Sequence, residues 1–308
     1  MTAIKLAIVG VGKIVRDQHL PAIAANPDFD LVATASRHGT VDGVPAFKSI
    51  EELLADGPEI DAVSLCMPPQ YRYEAAAAAI KAGKHVFLEK PPGATISEVD
   101  DLKRMADAAG VSLFASWHSR YAASVDTARD YLASSPIKSV KITWKEDVRH
   151  WHPGQDWIWE PGGLGVFDPG INALSILTYI LPRPVFLKEA LLEFPENKAA
   201  PIAATLSFRN AAGLAVDAEF DFRQTGKQSW DIEAVTEKGE MRLADGGSRL
   251  HLDGKLVHDA EDREYARLYQ RFAEIVRAGV SDADTAPLVH VADAFMLGRR
   301  KIVEPFHD

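Results

Sequence analysis

Gly10-Val11-Gly12 lies between an apolar run at residues 4–10 and a helix-forming stretch at residues 13–25, and no other feature constrains the fold of this chain as much. A short apolar run ending in glycine reads as a buried strand. The first glycine permits the tight turn out of that strand, and the second lets the backbone approach a pyrophosphate. The following helix offers free N–H groups and the positive end of its dipole to the phosphates. Lys13 and Ile14, at its start, therefore join Gly10 and Gly12 as candidate dinucleotide contacts. Val15 stands where the usual fingerprint has a third glycine, which implies looser strand–helix packing. Alone, such a turn is more often structural; at the head of a strand–helix series it points to a dinucleotide.

That series is present. Residues 31–36, 62–67, 85–88 and 111–115 read as further strands, apolar on both faces. Between them, Ser49 with Glu52 and Thr95 with Glu98 form capping-box patterns, residues 71–82 are alanine-rich, and Gly110 closes a helix over 95–109. Doubly buried strands alternating with helices indicate a parallel sheet covered on both sides, an α/β Rossmann domain. Ligands of such sheets bind beyond the strands' carboxyl ends.

The rest of the chain has another rhythm. Residues 137–148, 184–193, 201–208, 214–222 and 230–236 read as strands. In the fourth, Leu214, Val216, Ala218, Phe220 and Phe222 alternate with polar or small residues, the period of a sheet with one buried face. An α+β domain with a large, mostly antiparallel open sheet is expected, closed by helices near 263–278 and 286–300. At roughly 100–200 residues per domain, 308 residues suit two. The division is drawn at 1–121 for the nucleotide domain and 122–285 for the substrate domain, with 286–308 packing back on the first.

A net charge of −10 argues against nucleic acid or an anionic membrane as partner, since both require basic surface. The one cysteine, Cys66, cannot form an intramolecular disulfide and sits in an apolar run, as a buried inert thiol would. No signal-peptide pattern or bilayer-length apolar run is seen, so a cytoplasmic protein is expected. No dense ligand cluster suggests a metal.

The end of the second strand speaks to the cofactor. Enzymes that use NAD usually place an acid there to hold the ribose hydroxyls. Here the residues are Ser36-Arg37-His38. Arg37 can fork onto a 2′-phosphate and Ser36 can donate to it, so NADP is favoured, with NAD second. A solvated surface arginine is the weaker alternative.

Pro68-Pro69 after the third strand and Glu89-Lys90-Pro91 after the fourth join the glycine loop in a recognisable set. Together they resemble the glucose–fructose oxidoreductase/inositol dehydrogenase (Gfo/Idh/MocA) family along the whole chain. In that family the lysine lies beside the nicotinamide and the substrate hydroxyl. The resemblance thus adds Pro68, Glu89, Lys90 and His118 to the cofactor contacts, with His118 at the junction with substrate. A family element, Asp-x-x-x-His, maps onto Asp168 to Asn172, with asparagine in place of histidine. With Ser36-Arg37-His38, Trp117-His118-Ser119-Arg120 and Trp151-His152, that departure is similar to the L-arabinose/D-galactose 1-dehydrogenase branch. The resemblance implies oxidation of a monosaccharide at C1 to its lactone, and a homodimer through the exposed face of the C-terminal sheet.

Such oxidation removes a hydride from carbon and a proton from the anomeric hydroxyl. Lys90, at a cleft mouth, can take the proton if desolvation lowers its pKa, or stabilise the oxyanion if charged. Asp168 and Asn172 share a helix face if the helix begins near Asp168. Asp168 can equally be only the helix cap, with Pro169 at the first helical position. An amide cannot accept the proton as histidine would, so Lys90 and Asp168 are expected to share it while Asn172 orients the sugar. Four tryptophans fall between Trp144 and Trp159, among Glu146, His150, His152 and Asp156. Flat rings suit the apolar face of a sugar and carboxylates or imidazoles its hydroxyls. Glu146 and His152 are assigned to hydroxyls. Trp151 and Trp230 are weighed equally as sugar platforms or core, and Lys90, His118, Asp168 and Asn172 complete the substrate set. Two rivals stand: a non-catalytic NADP-binding regulator of the same family, and a family enzyme for a cyclitol, dihydrodiol or bile pigment. Retention of Lys90 and Asp168 disfavours the first, and Asn172 disfavours the cyclitol enzymes.

Overall fold

Strands with apolar side chains on both faces need cover on both, and the first part of the chain supplies it. The computed structural model describes residues 2–307. Six strands, β1 (Ile4–Val9), β2 (Phe29–Ala35), β3 (Ala46–Phe47), β4 (Ala62–Leu65), β5 (His85–Glu89) and β6 (Leu113–Ser116), form a parallel sheet in the order β3-β2-β1-β4-β5-β6. Leu6, Ala7, Ile8, Val63, Val86, Phe87 and Leu88 are fully buried, as both faces demand. The helices α1 (Leu20–Ala24), α2 (Ile50–Asp56), α3 (Arg72–Lys81) and α4 (Ile96–Ala109) link these strands. This is the Rossmann order, and its direction reverses between β1 and β4, where Gly10 and Pro68 leave the sheet.

Local chemistry sets the ends. Thr95 and Glu98 form the full capping box, and Gly110 ends α4 with φ of +66°. Ser49 accepts the Glu52 N–H, but the Glu52 carboxylate turns to the N–H of Lys48, so that box does not close on Ser49. The helix expected over 13–25 contains a π-helical turn at Val15–His19 before α1 begins. Such turns carry an extra residue and often mark functional positions; this one contains the fully buried His19.

The second unit begins with α5 (Val125–Ala133), a helix absent from the sequence expectation. It continues through β7 (Ile137–Lys145), α6 (Val148–Trp151), α7 (Phe167–Ile180), β8 (Phe186–Pro195), β9 (Ala203–Arg209), β10 (Ala215–Asp221), β11 (Ser229–Thr236), β12 (Glu240–Ala244), β13 (Arg249–Leu252) and β14 (Lys255–Asp259). The last elements are α8 (Glu264–Ala278), α9 (Ala286–Leu297) and β15 (Arg299–Val303). Nine strands order as β14-β13-β12-β11-β7-β10-β9-β8-β15, antiparallel except for β7 with β10 and β8 with β15. In β10, Val216, Ala218 and Phe220 are buried while Asp217 faces out, the alternation the sequence implied. Gly170 lets α7 lie close on that face, because a Cβ there would come within 2.7 Å of the Phe220 ring. That close approach fixes the first turn of α7.

Four expectations are corrected. The strand read over 137–148 ends at Lys145, because Asp147 caps α6 by accepting the Arg149 N–H at 3.0 Å. The final helix stops at Leu297, and β15 follows, paired in parallel with β8. The segment that returns to the nucleotide unit is Glu264–Thr285, carrying α8; the chain from Ala286 belongs with the large sheet. The division falls at Ser119 rather than after 121. The reason is apolar burial. Leu268, Tyr269, Phe272 and Ile275 make one buried stripe on α8, where Phe272 stacks on Phe29 and on Phe114 with centroids 5.9 Å apart. In α9, Leu288, Val291 and Ala294 are buried, and the helix packs on α7 and β8. No helix among the described residues is long and apolar enough to cross a membrane.

Phe272→Ala is expected to cost about 3–5 kcal/mol of stability, the usual range for emptying a buried aromatic site. Denaturant unfolding followed by CD would check it; a loss below about 1 kcal/mol would show that α8 is not anchored by this stack.

Candidate active site

The glycine turn is built as a dinucleotide site requires. Gly10 has φ of +88°, and a Cβ there would lie 2.7 Å from the backbone nitrogen of Met67. Any side chain would both strain the turn and collide with the loop after β4. A Cβ on Gly12 would meet nothing within 4 Å, so the space over Gly12 is open to a pyrophosphate. Ile14 is exposed, and the Lys13 ammonium pairs with Asp17 four residues on, so these positions offer chiefly backbone to a phosphate. Ser36 accepts the Gly39 N–H at 3.3 Å, which leaves its hydroxyl hydrogen available for donation. Arg37 is exposed beside it. Pro68 precedes a 3₁₀ turn at Pro69–Tyr71. These residues fit a dinucleotide.

At the end of β5 stands a buried carboxylate. Glu89 is 4% exposed. Its Oε1 accepts from the Tyr265 hydroxyl at 2.5 Å and lies 3.2 Å from His19 Nε2. Its Oε2 accepts the backbone N–H of Lys90 at 2.5 Å. Burial pushes the carboxyl up, but His19, His118 and Tyr265 outweigh it and hold Glu89 at about 2. Burial pulls His19 down, yet Cys66, Tyr269 and Glu89 carry it well above the usual histidine range. The pair is therefore ionic. His19 Nδ1 reaches the Tyr269 hydroxyl at 2.7 Å, which in turn lies 3.1 Å from Ser64 Oγ.

Arg72, also buried, donates to the carbonyls of Glu89 and Pro91, and to that of Met67 at 2.5 Å. Burial lowers its pKa to about 10, so it stays charged at neutral pH. Lys90 is half-buried. His118 is half-buried too, with Nδ1 2.5 Å from Glu264 and its ring stacked on Tyr265 at 5.6 Å. His19, Arg72, Glu264 and Tyr265 escaped the sequence reading. A histidine four positions after Val15 carries no signal unless the π turn is known, and α8 was assigned to the wrong unit.

The second unit gathers its own polar group. Glu146 follows β7 and Asp168 lies in the first turn of α7; they are 5% and 4% exposed. His152, just past α6, stands between them, with Nε2 3.3 Å from Glu146 and Nδ1 3.6 Å from Asp168. Trp230 donates its indole N–H to Glu146 at 2.9 Å, and the exposed Trp151 meets it edge-on at 5.3 Å. Trp144 is core. The capping alternative for Asp168 does not hold. The helix starts at Phe167 after Val166, which makes no side-chain cap, and Pro169 takes the third position rather than the first. Asn172 is half-buried one turn beyond Asp168. Glu146, Trp151, His152, Asp168 and Trp230 are thus in one cluster, an arrangement that can grip several hydroxyls.

Residues 4–116 match the family profile described as "Oxidoreductase family, NAD-binding Rossmann fold". The galactose 1-dehydrogenase of Pseudomonas fluorescens is 47% identical over 309 residues, covering all of both chains. The crystal structure of a D-galactose-1-dehydrogenase from Rhizobium etli is 69% identical, covers 100% of this chain and 99% of its own, and superposes with a TM-score of 0.97. A 3-ketoreductase from Actinomadura kijaniata, solved with NADP and TDP-benzene, is 18% identical over 98% of this chain, with a TM-score of 0.84, and shares the fold.

The Glu89–His19 pair makes stability depend on pH from both sides. Glu89 is depressed, so its contribution is complete above the unfolded value near 4.5 and is lost as pH falls towards about 2. His19 is raised, so its contribution is complete below about 6.5 and is lost as pH rises through its folded value. Thermal melts of wild type and Glu89→Gln at pH 5, 4 and 3 should show a shallower acid decline in the variant. Parallel slopes would mean that Glu89 is not held ionised.

Proposed function

The chain belongs to the Gfo/Idh/MocA family of oxidoreductases, and on that premise we propose that it oxidises D-galactose at C1 to the galactonolactone, with NADP preferred over NAD. Full-length 47% identity to a galactose 1-dehydrogenase carries the proposal. L-Arabinose is the expected second substrate, since its pyranose has the stereochemistry of galactose at C2 to C4 and lacks only the exocyclic hydroxymethyl group.

Gly10, Gly12 and the N–H groups near Lys13 and Ile14 would hold the pyrophosphate, while Ser36 and Arg37 would hold the 2′-phosphate. Pro68, Glu89, Lys90 and His118 are assigned to the nicotinamide end. Nicotinamide supplies the acceptor for the hydride leaving C1. The protein must orient the anomeric hydroxyl and receive its proton. That proton is assigned to Lys90 and Asp168, the latter a buried carboxylate beside His152. Asn172, whose amide makes only fixed hydrogen bonds, orients the sugar. Glu146 and His152 take hydroxyls, and Trp151 and Trp230 offer flat apolar faces. The edge-on pair of indoles supports this role, since Trp151 is kept exposed rather than packed away.

Absorbance of the reduced nicotinamide, with NADP and separately NAD, is expected to rise with galactose and arabinose but not with myo-inositol. Binding of NADP without reduction by any sugar would instead indicate a regulator. Arg37→Ala should raise KM for NADP by about 10–100-fold, the worth of a charge-assisted fork, and change KM for NAD less than about threefold. An unchanged KM for NADP would remove Arg37 from the site. Asn172→Ala should lower kcat/KM for galactose by about tenfold or more, with KM for NADP unmoved; full activity would leave Asn172 without a role.

A further inference from the structure

Lys90 is gripped through its backbone on both sides. On one side its N–H is held by the side chain of the preceding residue, since Glu89 Oε2 accepts it at 2.5 Å. On the other, the buried guanidinium of Arg72 takes the carbonyls of Glu89 and Pro91, the residues flanking Lys90. The same guanidinium takes the carbonyl of Met67 at 2.5 Å, tying the loop after β4 to the loop after β5. The other oxygen of Glu89 is pinned by groups from far along the chain: His19 from the π turn and Tyr265 from α8. His19 is itself fixed by Tyr269, one turn further along α8. His19, Arg72, Tyr265 and Tyr269 are assigned neither to substrate nor to cofactor.

We propose that His19, Tyr265 and Arg72 are positioning residues for Lys90: the first two act through the Glu89 carboxylate and the third through the carbonyls on either side. The proposal rests on the assignment of Lys90 to the anomeric proton. A π-helical turn is accounted for as well, because it carries the His19 ring that meets Glu89. The charged and titratable groups facing Glu89 are His19, Arg72, His118 and Tyr265, with Cys66 and Tyr269 against His19. Removing His19 or the Tyr265 hydroxyl leaves burial to push Glu89 upward. Protonation of Glu89 in those variants then occurs at a higher pH than in wild type.

Tyr265→Phe removes one hydroxyl with no change in shape, so it tests the network without emptying the core. His19→Gln and Arg72→Met complete the set. Expected for Tyr265→Phe and His19→Gln is a fall in kcat of about 10–100-fold, with KM for galactose and Kd for NADP within about threefold of wild type. The acid limb of kcat should move up in pH. In the Glu89→Gln background, His19→Gln should cost little more, because both act on one path. Arg72→Met should lower kcat as well, and because it removes a cation facing Glu89 it should move that limb up too. Amide exchange of Lys90, measured on the protein without sugar, should quicken in all three variants. The exchange readout separates two failures. Wild type that reduces no cofactor with any sugar, yet shows faster Lys90 exchange in the variants, would sink the galactose assignment and leave the positioning network standing. Tyr265→Phe with wild-type kcat, pH profile and Lys90 exchange would overturn the network.

Discussion

A buried carboxylate that stays ionised must be answered by donors, and where those donors come from decides which parts of the chain are locked together. Glu89 is answered from three places: the π turn after the glycine loop, the first turn of α8, and its own C-terminal neighbour. The consequence is topological. A helix whose Tyr265 lies 176 residues from Glu89 in the chain is bound to the strand end that presents Lys90. Its apolar stripe seats it against Phe29, Phe87 and Phe114, and that seating delivers the Tyr265 hydroxyl to the carboxylate. Packing and polar satisfaction are thus carried by one helix, the ring stack seating it and the hydroxyl answering the carboxylate.

The second unit solves a different problem with the same group. Glu89 receives at least three donors against roughly four lone-pair sites, so its capacity is spent on protein. Glu146 receives the Trp230 indole N–H at 2.9 Å and has His152 at 3.3 Å, which leaves capacity for a hydroxyl. The contacts of Glu89, at 2.5 Å to the Tyr265 hydroxyl and to the Lys90 N–H, are those of a group meant to stay put. Gly170 contributes by letting α7 settle on Phe220, so that Asp168 arrives at the histidine from the helix's first turn.

Which features the sequence reveals follows from how local their causes are. The glycine turn, the parallel sheet and the alternation of β10 rest on neighbours within a few residues, and residue pattern reports them directly. The cluster of Glu146, His152 and Asp168 was legible because the residue types are unusual for their places, and resemblance supplied the pairing. The Glu89 network was not. His19 lies in a helix whose winding defect has no local signature, Arg72 looks like one more polar residue at the head of an alanine-rich helix, and Tyr265 reads as a core aromatic. Their function is set by partners about 17 to 250 residues away. The same distance effect misassigned α8 and α9. Both are apolar enough to dock, and only the aromatic partners on β2, β5 and β6 decide that α8 joins the Rossmann sheet.

The end of β2 and the end of β5 are held in opposite ways. Ser36, Arg37 and His38 sit at the end of β2, where Arg37 and His38 are exposed; Ser36 is tied by its N–H to the Phe47 carbonyl at 2.9 Å and by its hydroxyl to the Gly39 N–H. Lys90 sits at the end of β5, held by a network that buries charge. Exposed groups can change charge or size with little effect on stability, whereas changing one member of a buried ionic set leaves its partners unanswered. Substitutions around Arg37 are therefore expected to leave the Lys90 loop undisturbed. Substitutions around Glu89 leave buried partners unanswered next to Lys90.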